Sequence, residues 1–183
     1  VTLWMFYFFR DPDRVVPVKP GLIVSPADGE VQMIVPAVPP PELGLGPSPL
    51  TRISIFLNVF DVHVNRTPIG GKVACVTYKK GEFLVASKPE ASAANEQNVI
   101  TIDGTIQGHP TRVVMKQIAG LIARRIICDV KAGNVLETGQ RIGLMKFGSR
   151  VDVMLGPEWE VTVRVGEHIK GGSTILARFK ENA

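Results

Sequence analysis

Ser173 stands in the run Gly166-Glu167-His168-Ile169-Lys170-Gly171-Gly172-Ser173-Thr174-Ile175. Two glycines ahead of a serine admit backbone conformations closed to other residues and let a hydroxyl approach the preceding carbonyl. The chemistry within reach is attack on the Gly172 carbonyl, an N-to-O acyl shift that turns the amide into an ester. β-Elimination then gives dehydroalanine, and hydrolysis leaves a pyruvoyl group at a new amino terminus. The same residues also read as an ordinary turn. A second candidate is Asp61-Val62-His63. In an extended segment Asp61 and His63 point to one face, where the carboxylate holds the imidazole tautomer and raises its basicity. The plainer reading is a surface pair at a strand end. His109, in Gly108-His109-Pro110, reads as a turn residue, and His168 neighbours the glycine run.

The elements that must position these residues are strands. Leu22-Ile23-Val24 leads through the turn Ser25-Pro26-Ala27-Asp28-Gly29 into Glu30–Val35. Ile53, Ile55, Leu57 and Val59 alternate with the period of two that marks a strand. Lys72–Tyr78, Asn98–Asp103, Arg112–Ile118 and Ile122–Val130 are further strand-like runs, and Val161, Val163 and Val165 alternate with polar residues. Residues 36–50, rich in proline, and residues 79–98 read as loops. Many short strands with glycine turns predict a mainly β single compact domain, sandwich- or barrel-like with hammerhead-like hairpins and little helix.

Composition narrows the class. The chain has 183 residues, 45% of them hydrophobic, with 21 basic and 17 acidic side chains for a net charge of +4. That length buries a real core, and the low charge with many apolar positions excludes disorder. Cys75 and Cys128 make no disulfide framework, and no Cys/His cluster has zinc spacing, so no metal is expected. The small, scattered positive excess does not imply nucleic acid and fits an anionic membrane surface. Val1–Phe9 is almost wholly apolar and aromatic and stops at Arg10-Asp11-Pro12-Asp13-Arg14. It is too short to span a bilayer. It reads either as a buried first strand or as the end of a membrane segment, where aromatic rings and cations collect.

Five segments in order resemble the phosphatidylserine decarboxylases: Phe8-Phe9-Arg10-Asp11-Pro12, Ser25-Pro26-Ala27-Asp28-Gly29, Asp61-Val62-His63 with Pro68 following, Lys146-Phe147-Gly148-Ser149 and Gly171-Gly172-Ser173-Thr174. The resemblance covers nearly the whole chain, in the compact form of the short bacterial or archaeal type. It implies a proenzyme that cuts itself between Gly172 and Ser173 into a β chain, residues 1–172, and an α chain, residues 173–183, which stay together as a heterodimer. The cofactor would be a pyruvoyl group made from Ser173, which serves as the electron sink that pyridoxal phosphate supplies elsewhere. The reaction would be loss of carbon dioxide from phosphatidylserine to give phosphatidylethanolamine.

The resemblance also implies roles. Asp28 matches the aspartate used in self-cleavage with a histidine and the serine, an arrangement like that of a serine protease. Asp61 matches an aspartate near the site, and His63 matches the histidine that serves decarboxylation as proton donor or base. The longer members carry a second histidine where this chain has Arg66, so the triad is incomplete as written. Either His63 does both jobs, or His168 or another group helps. Phe147, Gly148 and Ser149 match a segment lining the family's site, with backbone N–H groups for an oxyanion or substrate. Arg150 is a candidate for the substrate's phosphate or carboxylate. Beside a lipid substrate, residues 1–14 read as a membrane-proximal segment and 15–183 as the catalytic domain. The expected location is the cytoplasmic face of the cell membrane, peripheral or N-terminally anchored, with a homo-oligomer left open. A second reading is a biotinyl, lipoyl or phosphotransferase carrier domain, suggested by Val130–Val135, Gly139–Gly143 and Met145-Lys146. It requires a modified side chain at a hairpin tip.

Overall fold

The first described element is a helix. In the computed structural model, which describes residues 2–122 and 125–181, α1 (Thr2–Phe8) takes up the aromatic start. The reading of a buried first strand is therefore corrected. Trp4 and Phe8, four residues apart, share one helix face and pack at 5.3 Å, a pairing that only helical spacing brings about. Leu3 and Phe6 remain exposed.

Beyond it, β1 (Leu22–Val24) and β2 (Gly29–Ala37) flank the Ser25–Asp28 turn. The proline-rich stretch holds one short 3₁₀ turn, Pro41–Leu43, before β3 (Leu50–Leu57), β4 (Val64–Arg66) and β5 (Gly71–Lys79). Within the long loop lies α2 (Ala91–Ala94), followed by β6 (Gln97–Ile106), β7 (His109–Ile118) and β8 (Ile126–Cys128). The chain then runs through β9 (Val135–Leu136), β10 (Arg141–Met145), β11 (Ser149–Leu155), β12 (Trp159–Val161), β13 (His168–Ile169) and β14 (Ile175–Phe179).

Eight strands form one antiparallel sheet in the order β13-β2-β3-β11-β7-β6-β5-β9, and two three-stranded sheets, β1-β14-β12 and β4-β10-β8, complete the fold. The sheets curl into a half-barrel around a single domain, so the mainly β expectation holds. Ile53, Ile55 and Leu57 of β3 meet Val151, Val153 and Leu155 of β11, Met115 of β7 and Ile100 and Ile102 of β6 in one core. Each such side chain contributes about 1.5–3 kcal/mol by leaving water. The opposite face carries Val99, Val114 and Met154 under Leu43 of the proline loop.

Two expected strands are shorter. The alternation Val161-Val163-Val165 ends as β12 at Val161, because Glu167 Oε2 accepts the Arg164 N–H at 3.0 Å and turns the chain. Of Ile122–Val130 only Ile126–Cys128 pairs, with β10, and residues 123 and 124 lie outside the described residues.

Candidate functional site

The turn between β1 and β2 is the platform of the site. Ser25 Oγ donates to the Ala27 carbonyl at 2.6 Å, closing the turn on itself. Its outward-facing groups then fasten two other segments. The Pro26 carbonyl accepts the Arg66 N–H of β4 at 2.8 Å. Ser25 accepts from the Gly172 N–H at 2.7 Å and donates its own N–H to the Thr174 carbonyl at 2.8 Å. Asp28 Oδ1 accepts the Gly171 N–H at 2.8 Å, while Oδ2 takes a 2.8 Å ion pair from Arg14. The glycine-serine turn is thus strapped down on both sides of Ser173.

Within that turn Gly172 has φ +78°, in the left-handed region. A Cβ there would lie 2.9 Å from Arg66 Cδ, so the Arg66 stem packs against the Gly172–Ser173 junction. The guanidinium itself is held elsewhere, on the Gly139 carbonyl at 3.0 Å and Asp11 at 3.1 Å. Ser173 is half-buried and lines an open pocket of about 570 Å³ together with Asp28, Arg10, Arg14, Lys170 and Val62.

His63 follows Val62 of the pocket lining and is 2% exposed. Its Nδ1 lies 2.9 Å from the Asp61 carbonyl, which can only accept, so Nδ1 carries the proton. Nε2 then presents a lone pair, and the Gly148 N–H donates to it at 3.3 Å. Phe8 tilts over the imidazole at 4.3 Å and Phe147 packs on Phe8 at 4.6 Å. Phe147 holds φ +59°, unusual for a residue with a Cβ. Burial pushes the His63 pKa below its ordinary value, outweighing the Asp61 carbonyl and the charges of Asp61 and Asp28, which raise it.

Asp61 differs from the sequence expectation. Residues 58–61 form a turn, in which Asp61 N–H bonds the Asn58 carbonyl at 3.1 Å and Asp61 Oδ2 takes the Asn58 N–H at 2.8 Å. The segment is not extended, so the carboxylate does not share a face with His63. Its Oδ1 lies 3.0 Å from His168 Nε2 instead. Asp61 therefore links the two histidines, one through its carbonyl and the other through its carboxylate.

Phe147 and Gly148 join the site, and the next two residues begin β11, Ser149 on its inner face and Arg150 on its outer face. Ser149 is fully buried at the start of β11, paired with Leu57. Arg150 is likewise fully buried, held by both oxygens of Asp152 at 2.6 and 3.1 Å and by Ser54 and the Lys88 carbonyl. Strand alternation puts it on the outer face of the sheet, and the headgroup contact expected of Arg150 has no place there. Met145-Lys146 lies where β10 leads to β11, strands of different sheets, rather than at the hairpin tip a carrier domain needs. Sequence reasoning passed over Arg14 and Lys170. Their signal was position alone, a cation after Asp11-Pro12-Asp13 and another just before Gly171.

The family model described as phosphatidylserine decarboxylase matches residues 1–177. A phosphatidylserine decarboxylase proenzyme of Cereibacter sphaeroides is 53% identical over 180 residues, covering 97% of this chain and 75% of the relative. The proenzyme of Solibacter usitatus is 55% identical over 178 residues, covering 97% and 80%. That of Rickettsia africae is 51% identical over 178 residues, covering 97% and 76%.

Proposed function

The chain belongs to the phosphatidylserine decarboxylase family, carboxy-lyases that arise from self-cleaving proenzymes and form phosphatidylethanolamine, and on that premise we propose how its residues divide the work. Cleavage falls between Gly172 and Ser173. The observation that carries this is the strapping of the 170–174 turn: its N–H groups at Gly171 and Gly172 are held by Asp28 and Ser25, and Gly172 alone can take the backbone angle the turn requires. Ser173 Oγ adds to the Gly172 carbonyl carbon, its proton passes to a base, and the C–N bond breaks as the Ser173 nitrogen takes up a proton. The ester that results loses the Ser173 Cα proton and expels the Gly172 carboxylate. Water then releases the nitrogen as ammonia.

Asp28 positions the turn and, with His63, manages these protons. A neutral imidazole whose Nε2 is a lone pair is the form a base must have. The residues around Ser173 fit a pyruvoyl group, since Ser173 already opens to a pocket and its chain is held on both sides. Such a group supplies a carbonyl that withdraws the electron pair left when the substrate's carboxylate departs. Lys170 and Arg10, at the pocket wall, receive the phosphate and carboxylate of the anionic lipid, while His63 holds or returns the proton.

The lipid is met at the surface around α1. Leu3, Phe6, Tyr7 and Phe9 are exposed there, with Phe60 beside Arg10, whose guanidinium donates to the Phe60 carbonyl. Arg10 also lies over the Tyr7 ring, and Lys146 over Phe9. Aromatic rings interleaved with cations suit a headgroup layer. No helix among the described residues is long and apolar enough to cross a membrane, and the attachment proposed is peripheral or through an N-terminal anchor.

Intact-mass measurement of the purified protein tests the core of this reading. Two polypeptides are expected, the smaller beginning at residue 173 with no free amine. A single uncut chain without decarboxylase activity overturns it. Ser173→Ala abolishes both cleavage and carbon dioxide release, whereas cleavage surviving in His63→Gln with decarboxylation lost assigns Ser173 activation to another group.

A further inference from the structure

On the outer face of the large sheet a second cavity of about 360 Å³ opens between the proline loop and α2. Its floor is built across strands by Arg52 of β3, Lys116 of β7 and Val99 of β6. Arg52 Nη1 donates to Ser92 Oγ at 3.3 Å, and that hydroxyl donates to Asp152 Oδ2 at 2.6 Å. Asp152 is already held by Arg150. The charges on this face of the sheet therefore do not balance. Arg150, Arg52 and Lys116 face Asp152 alone, and the more exposed Lys79 and Glu42 at the edge of the cavity add one charge of each sign.

Two donors are left over. Arg52 Nε is buried without a hydrogen-bond partner, 3.9 Å from Asp152 Oδ2. Lys116 is only 7% exposed, and no hydrogen bond or ion pair holds its ammonium among the described residues. Burial pushes the Lys116 pKa down, more than Asp152 and Glu42 raise it. A buried cation without an anion is costly. An arginine edge beside a lysine point charge is a pairing that phosphate oxygens satisfy.

We propose that this cavity is a binding site for a phosphate dianion, held by Arg52 and Lys116 and separate from the Ser173 pocket. The excess of two positive charges around the cavity matches inorganic phosphate or a phosphate monoester, each carrying about −1.5 to −2 near pH 7. It is poorly matched by the single charge of a phosphodiester headgroup. The source is either free phosphate or a monoester lipid headgroup.

Thermal melting of the purified, processed protein, in buffer free of phosphate and at constant ionic strength set with chloride, tests this. Inorganic phosphate and monomeric short-chain phosphatidic acid are titrated separately. A saturable rise in Tm of at least about 2–4 °C is expected for a ligand well above its Kd. A response to inorganic phosphate identifies the soluble source, and a response to phosphatidic acid alone identifies the lipid. Lys116→Met removes the unpaired charge, so it raises Tm without ligand and loses the ligand response. Arg52→Gln also loses the response. A wild-type protein indifferent to both ligands, or a Lys116→Met variant that responds as wild type does, overturns the proposal.

Discussion

His63 is governed by burial before it is governed by its neighbours. The free imidazole titrates near 6.5, and the folded one lies below that. As pH falls through 6.5 the unfolded chain binds a proton that the folded chain refuses. The stability contributed by neutral His63 is therefore complete above 6.5 and is lost on acidification until the folded value is reached. Denaturant midpoints above and below pH 6.5 should fall less steeply in His63→Gln than in wild type. For the same reason the acid limb of the decarboxylation rate should lie below 6.5. At Asp28 the prediction concerns rate. Asp28→Asn keeps an acceptor for Gly171 but loses the charge facing Arg14, and precursor processing followed on gels should slow by about 10²–10⁴-fold. Ser173 and His63 stand out in the sequence by residue type and short spacing, whereas Asp28 is marked only by the resemblance, its contact with Gly171 being made across the fold. The partner of Asp61 was not legible, since a turn at Asn58 redirected the carboxylate. Arg150 was illegible for another reason: which face of a strand looks inward is decided by neighbouring strands, distant in sequence.

At the level of elements, three short segments carry the site because one turn grips the other two. Gly29 closes that turn at φ +145°, and a Cβ there would run into the Phe56 carbonyl of β3. Gly29→Ala should destabilise the fold by about 1–3 kcal/mol through overpacking against backbone. Calorimetry should then show a Tm lower by several degrees, and processing should slow as the strap on Gly171 and Gly172 loosens. A contrasting test lies in β11. Arg150→Met takes away the two short bonds that hold Asp152, leaving it the Ser92 hydroxyl and Arg52 3.9 Å away, and should cost about 3–5 kcal/mol. Adding Asp152→Leu should restore part of that loss, which a double-mutant cycle measures. Strand periodicity located most of the sheet. The helix α1 escaped because a run of apolar aromatics has no period of its own, and the surface that Trp4 and Phe8 pack against comes from Phe147 and His63, far along the chain.

Considered whole, the molecule gathers exposed Phe6, Tyr7, Phe9 and Phe60 at the end where His63 lies, with Phe8 fully buried beside the imidazole. Replacing Phe6, which is 74% exposed, with Ser should weaken sedimentation with anionic vesicles about 10-fold or more, since burying one such ring is worth about 1.5–3 kcal/mol. Self-cleavage should be unchanged in that variant. A different consequence follows from β14. This strand lies between β1 and β12, with Leu176 and Ala177 fully buried, and it begins two residues beyond the expected cut. The precursor installs it as part of one chain, at an effective concentration no separate peptide matches. Once severed, the strand is held by packing and ladder bonds alone. Unfolding of the mature protein would release it into solution, and recovery would depend on dilution, whereas an uncut Ser173→Ala chain would refold independently of concentration. The finished catalyst is in this sense a one-way product, whose memory of how to fold is cut away with the bond that activates it.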